Sequence, residues 1–76
     1  MTNREKSYRE VLGHQLRAFR LDRGLTAYAV ARDGGITIGQ VNTVEEGVKN
    51  YTIETFLGYL SGSGLYMSLQ KKTIQE

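Results

Sequence analysis

The sequence predicts a mainly α fold with a short strand near its C-terminal end. Three observations point there. Apolar residues recur at helical spacing over 8–23 and again over 53–61, two short runs meet between them at Asp33-Gly34-Gly35, and the period turns to strict alternation after Gly64. Seventy-six residues make one domain with a small core.

Met1–Lys6 is polar and reads as a frayed terminus, with a basic arm reaching along an anionic partner as the alternative. The first helix, over about 8–23, places Tyr8, Val11, Leu12, Leu16 and Phe19 on one stripe expected to face the interior. Gly13 within it costs up to about 1 kcal/mol unless another element packs closely there. Gly24 then ends the helix as a C-terminal cap does. His14, the single histidine, reads as a surface or boundary residue.

Thr26–Glu45 admits two readings. As a β-hairpin, Ala27–Ala31 and Ile36–Val41 are joined by an Asp-Gly turn. As a helix-turn-helix, 27–33 is one short helix and 38–46 a second. The second reading explains more residues. Thr37 and Gln40 form a capping box, and Gly35 suits the left-handed turn between the two helices. Val30, Ala31, Ile36, Val41 and Val44 recur at helical offsets and line one interior pocket.

A loop with clustered donors follows at Lys49, Asn50 and Tyr51. Thr52 caps the last helix, 53–61, whose expected buried stripe is Ile53, Phe56, Leu57 and Leu60, with Tyr59 at its boundary. Ser61-Gly62-Ser63-Gly64 reads as a flexible break, separating residues 1–61 from a second segment, 62–76. Beyond it Leu65, Met67 and Leu69 fall on one face and Tyr66, Ser68 and Gln70 on the other, which predicts a strand over about 65–71 ahead of a polar tail. A lone strand leaves its backbone groups unpaired. A second copy of itself, antiparallel about a two-fold axis, is the simplest partner, so Leu65, Met67 and Leu69 are the expected dimerisation residues. The expected architecture is thus a compact helix-turn-helix domain of four to five helices with a C-terminal strand paired across a dimer.

Composition narrows the function. There is no cysteine and only one histidine, so neither a disulfide framework nor a metal site is expected, and no cofactor. Glu45 and Glu46 are adjacent on a helix and point roughly 100° apart, so they cannot share a substrate, and no enzyme activity is expected. No apolar run approaches the roughly 20 residues of a membrane span, which makes a cytoplasmic protein the expectation. The net charge of +2 mildly favours an anionic partner.

Over Leu12–Leu60 the sequence resembles the phage-repressor (Cro/XRE) family of helix-turn-helix domains. The shared features are Leu16-Arg17-Ala18-Phe19-Arg20, Gly24-Leu25-Thr26, Ala31, Gly35, Val41, Val44 and Glu45-Glu46-Gly47. It departs at Ala27, where the family usually has a glutamine. The segment Thr52–Lys72 further resembles the end of the HipB-type antitoxin repressors, in which a terminal strand completes an intersubunit ribbon.

The resemblance implies double-stranded DNA as a partner, read by the second helix of the pair. By position, Ile38, Gly39 and Thr43 fall where similar proteins read bases, with Gln40 and Asn42 beside them and Thr37 at the cap. Phosphate contacts are expected from Thr26 and Tyr28, from Lys49 and Asn50, and from Arg17. Arg20 and Glu45 are the expected structural ion pair. With no arginine on the reading face, an A·T-leaning half-site is expected. The rival function is a protein-binding antitoxin that neutralises a partner toxin through Tyr59, Tyr66 or the tail.

Overall fold

Each helix among the described residues starts at a hydroxyl. The computed structural model describes residues 7–72, with four helices: α1 (Tyr8–Asp22), α2 (Ala27–Gly34), α3 (Ile38–Glu46) and α4 (Ile53–Gly62). Ser7, Thr26, Thr37 and Thr52 each accept from the backbone N–H three residues on. Such a cap is worth about 1 kcal/mol. At α1 and α3 the cap is reciprocal: Glu10 and Gln40 accept from the N–H groups of Ser7 and Thr37, at 3.1 and 2.9 Å. Between α2 and α3 the chain turns at Gly35, whose φ of 70° is the left-handed conformation that residues with a Cβ rarely adopt.

The helices pack as two crossed pairs, α1 on α3 and α2 on α4, with α3 also against α2 and α4. The core is Leu16, Val30, Ala31, Val41, Val44, Tyr59 and Leu60, edged by half-buried Leu25, Ala27, Ile36, Tyr51, Phe56 and Leu65. The hairpin reading of 26–45 is thereby excluded, since both halves are helical.

Three expectations need correction. On α1 the buried face is Gly13, Leu16 and Arg20, whereas Tyr8, Val11, Leu12 and Phe19 are exposed. The cause is the closeness of α1 to α3. A Cβ at Gly13 would lie 2.5 Å from the carbonyl oxygens of Val44 and Glu45, so the helix seats itself on its smallest residue. The apolar stripe is left about a quarter turn off the contact. Likewise α4 buries Thr55, Tyr59, Leu60 and Gly62 and exposes Ile53 and Leu57, because Gly58 and Gly62 lie against the backbone of α2 at Gly34 and Val30.

Third, Ser61–Gly64 is no flexible break. Gly62 and Ser63 are buried, the Ser63 hydroxyl donates to the Tyr59 carbonyl at 2.6 Å, and Leu65 N–H returns to Leu60 O at 2.8 Å. These bonds close the helix and bring Leu65 to the edge of the core. Tyr66–Lys72 then runs on exposed, and no strand occurs among the described residues. A strand needs a hydrogen-bonding partner, and the single chain offers none. Met1–Lys6 lies outside the described residues.

One polar cluster sits inside this packing. Arg20 on α1 meets Glu45 on α3 through two parallel bonds, Nε–Oε2 at 2.6 Å and Nη2–Oε1 at 3.0 Å. Its remaining nitrogen, Nη1, donates to Leu25 O in the α1–α2 turn at 2.9 Å. Tyr59 on α4 donates its hydroxyl to Glu45 Oε2. All three side chains are buried, and no buried side-chain nitrogen or oxygen among the described residues lacks a partner. The hydrogen bond to Glu45 raises the Arg20 pKa above its ordinary value. Burial, then the Glu45 carboxylate, pushes the Tyr59 phenol well above its ordinary range.

Removing one member of a buried pair costs about 3–5 kcal/mol, because the survivor is left charged and unpaired. Arg20→Ala and Glu45→Ala are each expected to destabilise by that order in denaturant melts, and the double variant by less than their sum. Strict additivity would contradict the pairing. Tyr59 carries a pH prediction. A phenol raised on folding contributes stability fully present below its unfolded value of about 10 and lost as pH rises beyond it. The stability of the native chain should therefore fall above about pH 10, and this component should vanish in Tyr59→Phe.

Candidate nucleic-acid interface

Since Val41, Val44 and Glu45 of α3 face inward, the opposite side of the helix is open. Gly39 and Asn42 are exposed there and Thr43 is half-exposed, with Ile38 at the first turn 45% exposed. The capping box fixes the start of this helix, and Gly47 ends it at a φ of 69°. A rigid helix of about 13 Å, nine residues at 1.5 Å each, is thus presented from the body of the domain.

The reading residues are not equivalent. Gln40 is exposed, yet both ends of its carboxamide are engaged: Oε1 accepts from Thr37 N–H, and Nε2 donates to Thr55 Oγ1 at 3.4 Å. It braces α3 against α4 in place of reaching outward. The Thr43 hydroxyl donates to Gly39 O within its own helix at 2.9 Å. No side-chain bond ties Asn42 down in this way; it lines a cleft of about 310 Å³ between α1 and α3, with His14, Arg17 and Glu46. Sequence reasoning did not place His14 and Glu46 there. The signal was available in the one-turn offset of Arg17 from Gly13, the residue seated on α3.

The flanks carry the remaining polar groups. Thr26 caps α2, and Tyr28, the second residue of the helix, is exposed, with the Arg32 guanidinium 5.8 Å from its ring centre. Arg32 pairs with Asp33 at 2.9 Å, and their hydrogen bond raises the arginine pKa and lowers the carboxyl's. Beyond α3, Lys49 and Asn50 lie exposed in the loop to α4. Arg17 is largely exposed, its Nε 4.0 Å from Glu45 Oε1, so the carboxylate that pairs with Arg20 also makes a longer ion pair with a second, solvent-facing cation at the edge of α3.

Tyr59 is fully buried, which removes it as a contact for another protein. Among the described residues, no cluster of three or more His, Asp or Glu is placed to hold a metal ion, and no helix is long and apolar enough to cross a membrane.

No protein-family model and no curated protein match the chain. Solved structures do. A HipB complex with an O2 20mer is 22% identical over 95% of this chain and all of that one, with a TM-score of 0.76. A HipB-O1-O2 complex is 23% identical over 91% of this chain and all of that one, with a TM-score of 0.74. At that identity the likeness extends to the fold. The clp gene regulator ClgR from C. glutamicum is 31% identical over 82% of this chain and 80% of its own, with a TM-score of 0.69. With its crossed helices, capped outward α3 and this level of identity, the chain belongs to the helix-turn-helix family of the gene regulator ClgR.

Proposed function

We propose that the chain is a sequence-specific double-stranded DNA-binding transcriptional regulator of the cytoplasm, a repressor that acts as a homodimer on an inverted repeat. The observation that carries this reading is the outward side of α3, open along its length while its opposite side is locked into the core. A helix so presented fits the major groove, where base edges carry a distinct code. Asn42 is the residue suited to an adenine edge, Ile38 and Thr43 to a thymine methyl. Thr26, Tyr28, Lys49, Asn50 and Arg17 supply donors to phosphates on either side. Among the described residues the buried carboxylate, Glu45, is taken up by Arg20 and Tyr59 and so is not offered to a substrate.

Dimerisation belongs to the tail. Tyr66 and Leu69 are 88% and 86% exposed and Met67 half so, an apolar segment without cover in its own chain. Pairing of 65–71 with its copy satisfies the backbone and sets Met67 and Leu69, on one face, beside their counterparts, while Leu65 already edges the core of its own chain. The same exposed tail supports a second reading, an antitoxin that grips a toxin through Tyr66 and its neighbours while repressing its own operon. A pulldown from the source cell separates the two, since a stoichiometric protein partner supports the antitoxin.

Selection from random duplexes should return A·T-leaning inverted repeats with half-site centres one helical turn, roughly 34 Å, or a multiple apart. About six phosphate contacts put the slope of log K against log salt near −5. G·C-rich sites, or an affinity flat across salt, would contradict the reading.

A further inference from the structure

The chain has nine glycines, and the fold accounts for all but one. Gly24, Gly35, Gly47 and Gly64 have φ between 69° and 74°, a region closed to most side chains. Gly13, Gly34, Gly58 and Gly62 are pressed against neighbouring helices, where a Cβ would collide. That leaves Gly39. Its backbone is ordinary helix, it is exposed, and a Cβ there would meet only Thr37 Oγ1, at a comfortable 3.7 Å.

Nothing among the described residues therefore requires glycine at this position, and helix propensity argues against it. It stands at the middle of the side of α3 that faces away from Val41. Its neighbours on the exposed side are Asn42 and Thr43, one turn on, with Ile38 just ahead of it; the two that border it with carbon are Ile38 and Thr43. Ile38 is partly exposed beside it, and the Thr43 hydroxyl is turned back onto the Gly39 carbonyl. The result is a bare stretch of helix backbone with a branched side chain on either hand. A small apolar group on the floor of a groove fits such a gap, whereas a base edge seeking hydrogen bonds gains little from it. The thymine C5-methyl is that group in the major groove.

We propose that Gly39 is a specificity-determining residue: its missing side chain seats a thymine methyl between Ile38 and Thr43. The proposal rests on the DNA-binding reading above and sharpens it to one base. It also gives opposite signs for folding and binding, because a methyl added at residue 39 supports the helix and fills the seat.

The test pairs an added methyl on the protein with a removed methyl on the DNA. Wild type and Gly39→Ala are titrated against the selected duplex, and against duplexes with single thymines of each half-site replaced by deoxyuridine. Gly39→Ala is expected to melt at or above the wild-type Tm and to bind the all-thymine site about tenfold more weakly, the scale of one mismatched base pair. At one thymine per half-site, deoxyuridine should weaken wild type and restore much of the affinity of Gly39→Ala. Equal affinity of both proteins for the selected site overturns the proposal, as does a loss in Gly39→Ala that no deoxyuridine relieves. If wild type selects no site from random duplexes, the DNA-binding reading itself fails and the proposal falls with it.

Discussion

A carboxylate buried between a guanidinium and a phenol fixes where α3 lies. Glu45 is the last residue but one of that helix, and through its two oxygens it holds Arg20 on α1 and Tyr59 on α4. Arg20 in turn holds the α1–α2 turn at Leu25 O. Three helices and a turn thus converge on one residue of the helix that faces outward. An apolar side chain in its place supplies packing without direction. The bidentate pair and the phenol set both the rotation of α3 about its axis and its depth in the domain, and so which residues of α3 are left outside.

Close packing of helix backbones is the second constraint, and it explains where pattern reading goes astray. Periodicity weighs large apolar residues, and on α1 and α4 it selects the stripes through Phe19 and through Leu57. The helices instead meet through Gly13 and through Gly58 and Gly62, where nothing separates backbone from backbone. Large side chains cannot occupy such a seam, so they are displaced to its margins. Leu12, Tyr51, Ile53 and Phe56 gather there along one shallow apolar groove. The error has a physical origin: hydrophobicity marks what seeks cover, while glycine marks where two helices touch.

The middle of the chain is more legible because its signals are local. Hydroxyl caps, the Gly35 turn and the alternation of inward and outward residues in α2 and α3 depend on neighbours a few positions away. The Arg20–Glu45 pair spans 25 residues and was reached only through a family resemblance; Tyr59, its third member, read as boundary packing. Gln40 shows the same limit at the interface. Its identity suggests a base contact and its spacing from Thr37 a capping box; the fold shows the box formed and adds that the carboxamide leans on Thr55. Residue type tells what a side chain is able to do; the fold decides whether it is still at liberty to do it.

The central claim is that the outward side of α3, held there by the buried cluster, is what lies on DNA. A nitrogen-15 amide titration with a selected duplex tests it residue by residue. The account predicts the largest shifts at Ile38–Thr43, with further shifts at Thr26–Tyr28 and Lys49–Asn50, and little change at Gly58–Gly62 in the α2–α4 seam. Shifts centred on the exposed side of α1 or on Tyr66–Lys72, with α3 silent, would contradict it.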